Sequence, residues 1–306
     1  MEFIFWLLFV FSAITHLVFW YIYSKNYRFA TLIFDLLPYY PYLVIINSLV
    51  SLTSIIYLLM DYNFIFWMFI LPGIIFPNIY LFQSFQSWKN DYKLSRLKKF
   101  WIHLVKNPDV ELIAMKDWVI KPVKKPNKAI IIVRHDVDIS LKRAMKMIEL
   151  EAELQIPAIY FLRNNAEKFT FSEVIEVFKS QSSIYFDVGF HYETLAKTKG
   201  KIDPAIPLFK EEVEEFKKHF PITLVAGHGE KYVSQKLVRD NYLDLTEYNL
   251  KSAYRIGHDL YISEAGGKHH FIVDKKSVTF WDKLAILDDL PKGSVVQILI
   301  HADWWF

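Results

Sequence analysis

The stretch Ile130-Ile131-Ile132-Val133-Arg134-His135-Asp136-Val137-Asp138 decides how this chain is read. Its first four residues are apolar and β-branched, the pattern of a strand buried on both faces. The charged residues from Arg134 onward are expected where that strand ends, and Ser140 is placed to cap a following helix. Ligands of α/β folds gather at the carboxyl ends of parallel strands. Asp136 and Asp138 stand two residues apart, so continued extended geometry points both the same way. Two carboxylates that close raise one pKa unless a cation neutralises them. A divalent metal on one, with the other free as a base, fits this spacing. An Asp-rich turn that only caps the helix fits it equally.

Outward from that strand, the C-terminal half alternates strands and helices. Leu141–Leu154 has helical periodicity, Ala158–Leu162 is a second buried strand, and Phe171–Lys179 is a short helix. Ser183–Phe190 runs as a third strand into His191. Ala205–His219 is an amphipathic helix, and Ile222–Ala226 is a fourth strand ending at Gly227-His228-Gly229. Short strands are expected at Ala253–Ile256, Leu260–Ile262 and His270–Val273, a last helix over Asp282–Leu290, and a last strand over Val295–Ile300 that ends at His301. Such alternation predicts a parallel sheet or barrel with right-handed crossovers. His135, Asp136, Asp138, His191, His228 and His301 all fall at strand ends, where one rim gathers them.

The first 88 residues have a different character. Phe3–Tyr23, Pro41–Met60 and Phe64 to about Phe85 are apolar stretches long enough to cross a hydrocarbon core of about 30 Å. Three such segments with so few charges have no polar face to turn to water. The expectation is a multi-pass anchor over residues 1–88. Lys25 and Arg28 follow the first stretch; Lys89, Lys93, Arg96, Lys98 and Lys99 follow the third. By the positive-inside rule these flanks, and the C-terminal domain with them, face the cytoplasm. Residues 89–127 are expected to form an amphipathic helix, able to lie on an anionic leaflet or to be an ordinary solvated helix, and then a Lys/Pro-rich linker.

Composition removes several classes. The 306 residues contain no cysteine, which excludes disulfides, thiolate metal sites and cysteine nucleophiles. A formal net charge of +3 does not suggest nucleic-acid binding.

Three motifs, Arg134-His-Asp-Val-Asp138, Gly189-Phe-His-Tyr-Glu193 and Ile298-Leu-Ile-His301, resemble those of the polysaccharide deacetylase (NodB-like) family, and more closely its membrane-associated Arg-His-Asp-Val-Asp branch. The resemblance covers residues 128–306. It implies a distorted (β/α) barrel, a divalent metal, usually Zn2+, and hydrolysis of an N-acetyl or O-acetyl group on a sugar; the expected anchor, which holds the site near the bilayer, favours a lipid-linked one. Carried over, Asp136 is the general base, His301 the general acid, and Asp138 and His191 are metal ligands. The family's second metal histidine would fall at Leu195, which cannot ligate. His228 is therefore expected as third ligand, with Glu193 behind it. Arg134, Glu193, Trp304 and Trp305 are expected to bind substrate, the tryptophans either walling a sugar or closing the barrel bottom. The partners implied are an acetylated sugar or glycolipid, membrane lipids and glycan-synthesis membrane proteins. Leu195 also supports a non-catalytic sugar-binding scaffold, and the same rim would suit another metal-dependent ester hydrolase.

Overall fold

The computed structural model describes residues 92–180, 186–229, 242–264 and 290–305, with the backbone alone of 270–273 and 276–279. The chain divides into two compact units, Met1–Asn90 and Asp91–Phe306, and the fold described is that of the second. The three apolar stretches, and all but Leu290 of the helix expected over Asp282–Leu290, lie outside the described residues. Among the described residues no helix is long and apolar enough to cross a membrane.

The elements run in the order α1 (Leu94–Lys106), β1 (Val110–Leu112), α2 (Met115–Ile120), β2 (Ala129–Val137), α3 (Leu141–Glu153), β3 (Ala158–Leu162), α4 (Phe171–Lys179), β4 (Phe186–Tyr192), α5 (Thr194–Lys197), α6 (Ile202–Lys217), β5 (Leu224–Gly227), β6 (Lys251–Ser252), β7 (Leu260–Ser263), β8 (His270–Val273), β9 (Lys276–Thr279) and β10 (Val295–His301). Short 3-10 turns fall at Leu245–Tyr248 and Ala302–Trp304. The strands form one sheet in the order β6-β5-β4-β3-β2-β10-β7-β8-β9. It is parallel from β6 to β7 and antiparallel from β7 to β9. This is an α/β fold, a parallel-strand sheet curled into a half-barrel with helices.

The central strand β2 is longer than its apolar run predicts. It continues through Arg134, His135 and Asp136 to Val137, and every residue in it is buried. Alternation makes this tolerable, because each buried charge meets a partner. Ile130 and Ile132 face the core inside the curl, packed with Ile159, Phe161, Leu224, Ala226 and Val295. Arg134 and Asp136 follow on that same face and pair with each other. His135 faces the other way, under α3, where its Nε2 meets Glu151 Oε1 at 2.8 Å and its Nδ1 meets the Ile300 carbonyl at 3.0 Å. The second Glu151 oxygen accepts from Tyr160 at 2.7 Å. His135 is thus a tie between sheet and helix; of the two residues it is Arg134 that pairs with Asp136.

One glycine is required by packing. On β4, Gly189 lies against the ring of Phe161, and a Cβ there would overlap two ring carbons. Phe161 is wholly buried, so the ring has little room to retreat. Gly189→Ala is expected to destabilise the fold by about 1–3 kcal/mol, read as a lowered denaturation midpoint.

Three sequence expectations change. The segment expected as a helix and linker adds β1, which pairs in parallel with the first residues of β2, so it is part of the sheet. The apolar face of α1 (Leu97, Phe100, Trp101, Leu104) is buried, so it is not available to a lipid leaflet. The strand expected at Ala253–Ile256 is instead Lys251–Ser252, followed by a turn. β9 was not foreseen.

Candidate metal centre

Four strands deliver the site. β2 brings Asp136 and, just past its end, Asp138. β4 brings His191, β5 is followed by His228, and β10 ends in His301 opposite Asp136. The ligand atoms of Asp138, His191 and His228 lie within 4.8 Å of one another, and these residues are the one such His/Asp/Glu cluster among the described residues. His191 Nε2 is 3.3 Å from Asp138 Oδ1, and His228 Nε2 is 3.5 Å from the same oxygen. A tetrahedral ion with ligand bonds of about 2.0–2.2 Å sets its donor atoms roughly 3.3–3.6 Å apart.

The hydrogen-bond pattern tests whether this cluster suits a cation. His191 Nδ1 is 2.8 Å from the Ala226 carbonyl, to which it donates. In the neutral imidazole, the form that ligates a metal, that leaves Nε2 as a lone pair turned towards Asp138. Asp138 Oδ1 is buried without a hydrogen-bond donor. Acceptors therefore converge where a proton is not supplied, and a divalent cation satisfies them. Beside His228 and His191, and against the opposing effect of burial, the Asp138 carboxyl is held well below the usual carboxylate range, so it is an anion. The two nitrogens and one carboxylate oxygen match the donor set of zinc sites that keep a position open.

Glu193 does not enter the cluster. Its Oε2 accepts from Arg163 Nη2 at 2.5 Å and lies 3.8 Å from His228 Nδ1, on the far side of that imidazole from Asp138. His228 thus converges as the third residue of the cluster, and Glu193 stands behind it. Leu195, at the position of the family's second metal histidine, is buried in α5 against Ala205 and Tyr242.

Asp136 receives a bidentate bond from Arg134, Nε to Oδ1 and Nη2 to Oδ2, both at 2.8 Å. Burial alone would raise its pKa. The guanidinium, with the nearby His191 and His301, outweighs burial and holds it at about 2. Its Oδ2 is 3.7 Å from His191 Nε2, so this carboxylate borders the cluster without joining it. His301 Nδ1 bonds the carboxylate of Glu264, which also accepts the His301 backbone N–H at 3.1 Å. Burial works to lower the pKa of His301, but Glu264, Asp138 and Asp136 prevail and raise it to about 9. At neutral pH the site therefore pairs an ionised Asp136 with a protonated His301.

The expected substrate contacts are altered. Arg134 is fully buried, fixed to Asp136 and stacked between the rings of Phe161 and Tyr254 at 5.0 and 4.6 Å, so it orients the Asp136 carboxylate. Trp304 and Trp305 are also buried, and Trp305 packs edge-on to Tyr92 at 5.1 Å. They follow β10 at the carboxyl rim and not at the barrel bottom, and they present no exposed face for stacking a sugar.

Three residues went unforeseen. Glu264 follows β7, and the rule that picked the other strand ends would have found it had that strand been carried one residue further. Asp303 accepts the backbone N–H groups of Asp138, Ile139 and Ser140. Burial and the adjacent Asp138 push its carboxyl up to about 7. Arg163, at the end of β3, donates to the Asp138 carbonyl at 3.0 Å. No local sequence pattern links either residue to Asp138, since both contacts span distant parts of the chain.

No protein-family model matches the chain, and neither a curated protein nor a solved structure matches it.

Proposed function

We propose that this chain is a metal-dependent deacetylase, hydrolysing an N-acetyl or O-acetyl group of a carbohydrate, and that its apolar N-terminal region directs it to a lipid-linked sugar at a membrane, with the catalytic domain on the cytoplasmic side. The observation that carries the reading is the convergence of Asp138, His191 and His228 beside an ionised Asp136 and a protonated His301. The three motifs that resemble the NodB-like family support it, and the half-barrel is compatible with that family's distorted barrel.

Asp138, His191 and His228 would hold the ion, with zinc favoured by the donor set. When bound, such an ion acts as a Lewis acid that lowers the pKa of water towards neutrality and polarises a carbonyl. The protein's own groups move the protons. Asp136, oriented by Arg134, takes a proton from the water that attacks the acetyl carbon. His301 gives its proton to the leaving nitrogen or oxygen as the bond to that carbon breaks, because an expelled amide anion would be a very poor leaving group. Acetate and the free amine or hydroxyl result, and solvent exchange resets both groups. An ester would be cleaved by the same steps.

This assignment makes the pH profile specific. A general acid must be protonated, so activity is lost as pH rises through the pKa of His301, about 9. Glu264→Gln removes the largest influence raising that value and leaves the burial that lowers it. The alkaline limb of the kcat profile is expected to move down by roughly 1–3 pH units. A limb that stays in place would separate Glu264 from the acid.

The experiment for the function itself is acetate release by the purified full-length chain from acetylated glycolipids and acetylated oligosaccharides, with and without chelator. Chelator-sensitive release is expected. A metal-loaded chain that releases acetate from none of them would move the reading to a sugar-binding scaffold.

A further inference from the structure

Asp138 differs from the other two ligands in how its backbone is held. His191 sits inside β4, within the sheet ladder, and His228 follows β5 with its N–H bonded to the Tyr192 carbonyl at 2.7 Å. Asp138 lies beyond Val137, the last residue of β2, in the bend before α3. What fixes its peptide is side chains. Asp303 accepts the Asp138 N–H through Oδ2 at 2.8 Å, and the Ile139 and Ser140 N–H groups through Oδ1 at 3.1 and 2.6 Å. Arg163 Nη1 donates to the Asp138 carbonyl at 3.0 Å, and its Nη2 holds Glu193, whose carboxylate stands 3.8 Å from His228 Nδ1. Asp303 is 1 % exposed and Arg163 5 %.

Building on the metal reading, we propose that Asp303 and Arg163 are positioning residues that set the affinity of the metal centre by clamping the Asp138 peptide from both sides. Neither reaches the ion. A carboxyl accepting the N–H on one side and a guanidinium donating to the carbonyl on the other replace the ladder that has just ended. They hold the carboxylate where two imidazoles can share an ion with it, and Arg163 extends the same restraint through Glu193 to the His228 side. A capping role alone is a weaker account of Asp303. Ser140 already supplies the N-cap of α3 through its hydroxyl to Arg143 N, and capping does not explain why Arg163 seizes the carbonyl of the same ligand residue.

The test uses the purified full-length chain, stripped and titrated with Zn2+ in competition with a chromogenic chelator. Co2+ loading in parallel reports the ligand field. Asp303→Asn keeps the shape and one acceptor oxygen but turns an NH2 donor towards at least one of the three N–H groups that the two carboxylate oxygens share. Arg163→Lys keeps the charge but loses the fork. Each is expected to weaken Zn2+ binding by roughly 10–100-fold, the usual scale for groups that orient ligands. Each should also shift the Co2+ absorption bands while far-ultraviolet circular dichroism stays that of the wild type, and Asp303→Glu should recover part of the affinity. If Asp303→Asn does not fold, Arg163→Lys makes the comparison. Variants with wild-type affinity and an unchanged Co2+ spectrum overturn the clamp and leave the metal centre standing. A wild-type chain that binds neither Zn2+ nor Co2+ overturns both.

Discussion

Asp136→Asn is expected to lower the rate of acetate release by roughly 10²–10⁴-fold, the scale of a positioned proton-transfer group, while leaving metal content close to that of the wild type. The separation follows from geometry. Asp136 Oδ2 stands 3.7 Å from His191 Nε2, outside the cluster of Asp138, His191 and His228, and Arg134 fixes both of its oxygens while leaving each a lone pair. It therefore borders the ion without supplying a ligand. Asparagine preserves the shape and one acceptor, and removes the basic oxygen. The same substitution has a second consequence. Arg134 is wholly buried, and its charge loses the only carboxylate bonded to it among the described residues. Breaking a buried pair from one side costs about 3–5 kcal/mol, so the denaturation midpoint should fall as well. Activity must be compared on protein shown to be folded. Unchanged turnover in folded, metal-loaded Asp136→Asn would remove this carboxylate from the chemistry.

His228→Ala is expected to have the opposite signature, losing the ion and the activity together. Removing one of three protein donors leaves only Asp138 and His191, 3.3 Å apart, which is too few for a stable zinc site. Elemental analysis of the purified variant should find the ion largely gone, while Glu193→Gln should retain it, because Glu193 sits behind the imidazole and is held by Arg163. The reverse outcome, an ion kept by His228→Ala and lost by Glu193→Gln, would mean that the wrong residue has been assigned as third ligand.

The sequence carried the site further than it carried the sheet's edges. Asp138, His191, His228 and His301 were legible because a strand-like segment precedes each of them, and parallel topology then gathers strand ends at one rim. Where charges lie inside a strand the pattern misled. Arg134 to Asp136 read as a tail because buried charge is costly, and only the pairings with neighbouring strands and α3 make it affordable. The same blindness concealed Glu264, Asp303 and Arg163, whose partners are 37, 165 and 25 residues away along the chain. β1 was missed because three residues with one apolar buried position carry no period. α1 was recognised as amphipathic, but amphipathicity does not say whether the apolar face meets lipid or protein; here Leu97, Phe100, Trp101 and Leu104 are buried.

The central claim is that Asp138, His191 and His228 hold one divalent ion on which hydrolysis depends. The direct measurement is metal content per chain in purified full-length protein, paired with acetate release before chelation, after chelation and after Zn2+ is restored. The account predicts about one ion per chain, activity lost with it and regained on its return, and no ion in Asp138→Asn. A chain that binds no divalent ion, or one whose activity persists after complete removal of metal, would contradict it.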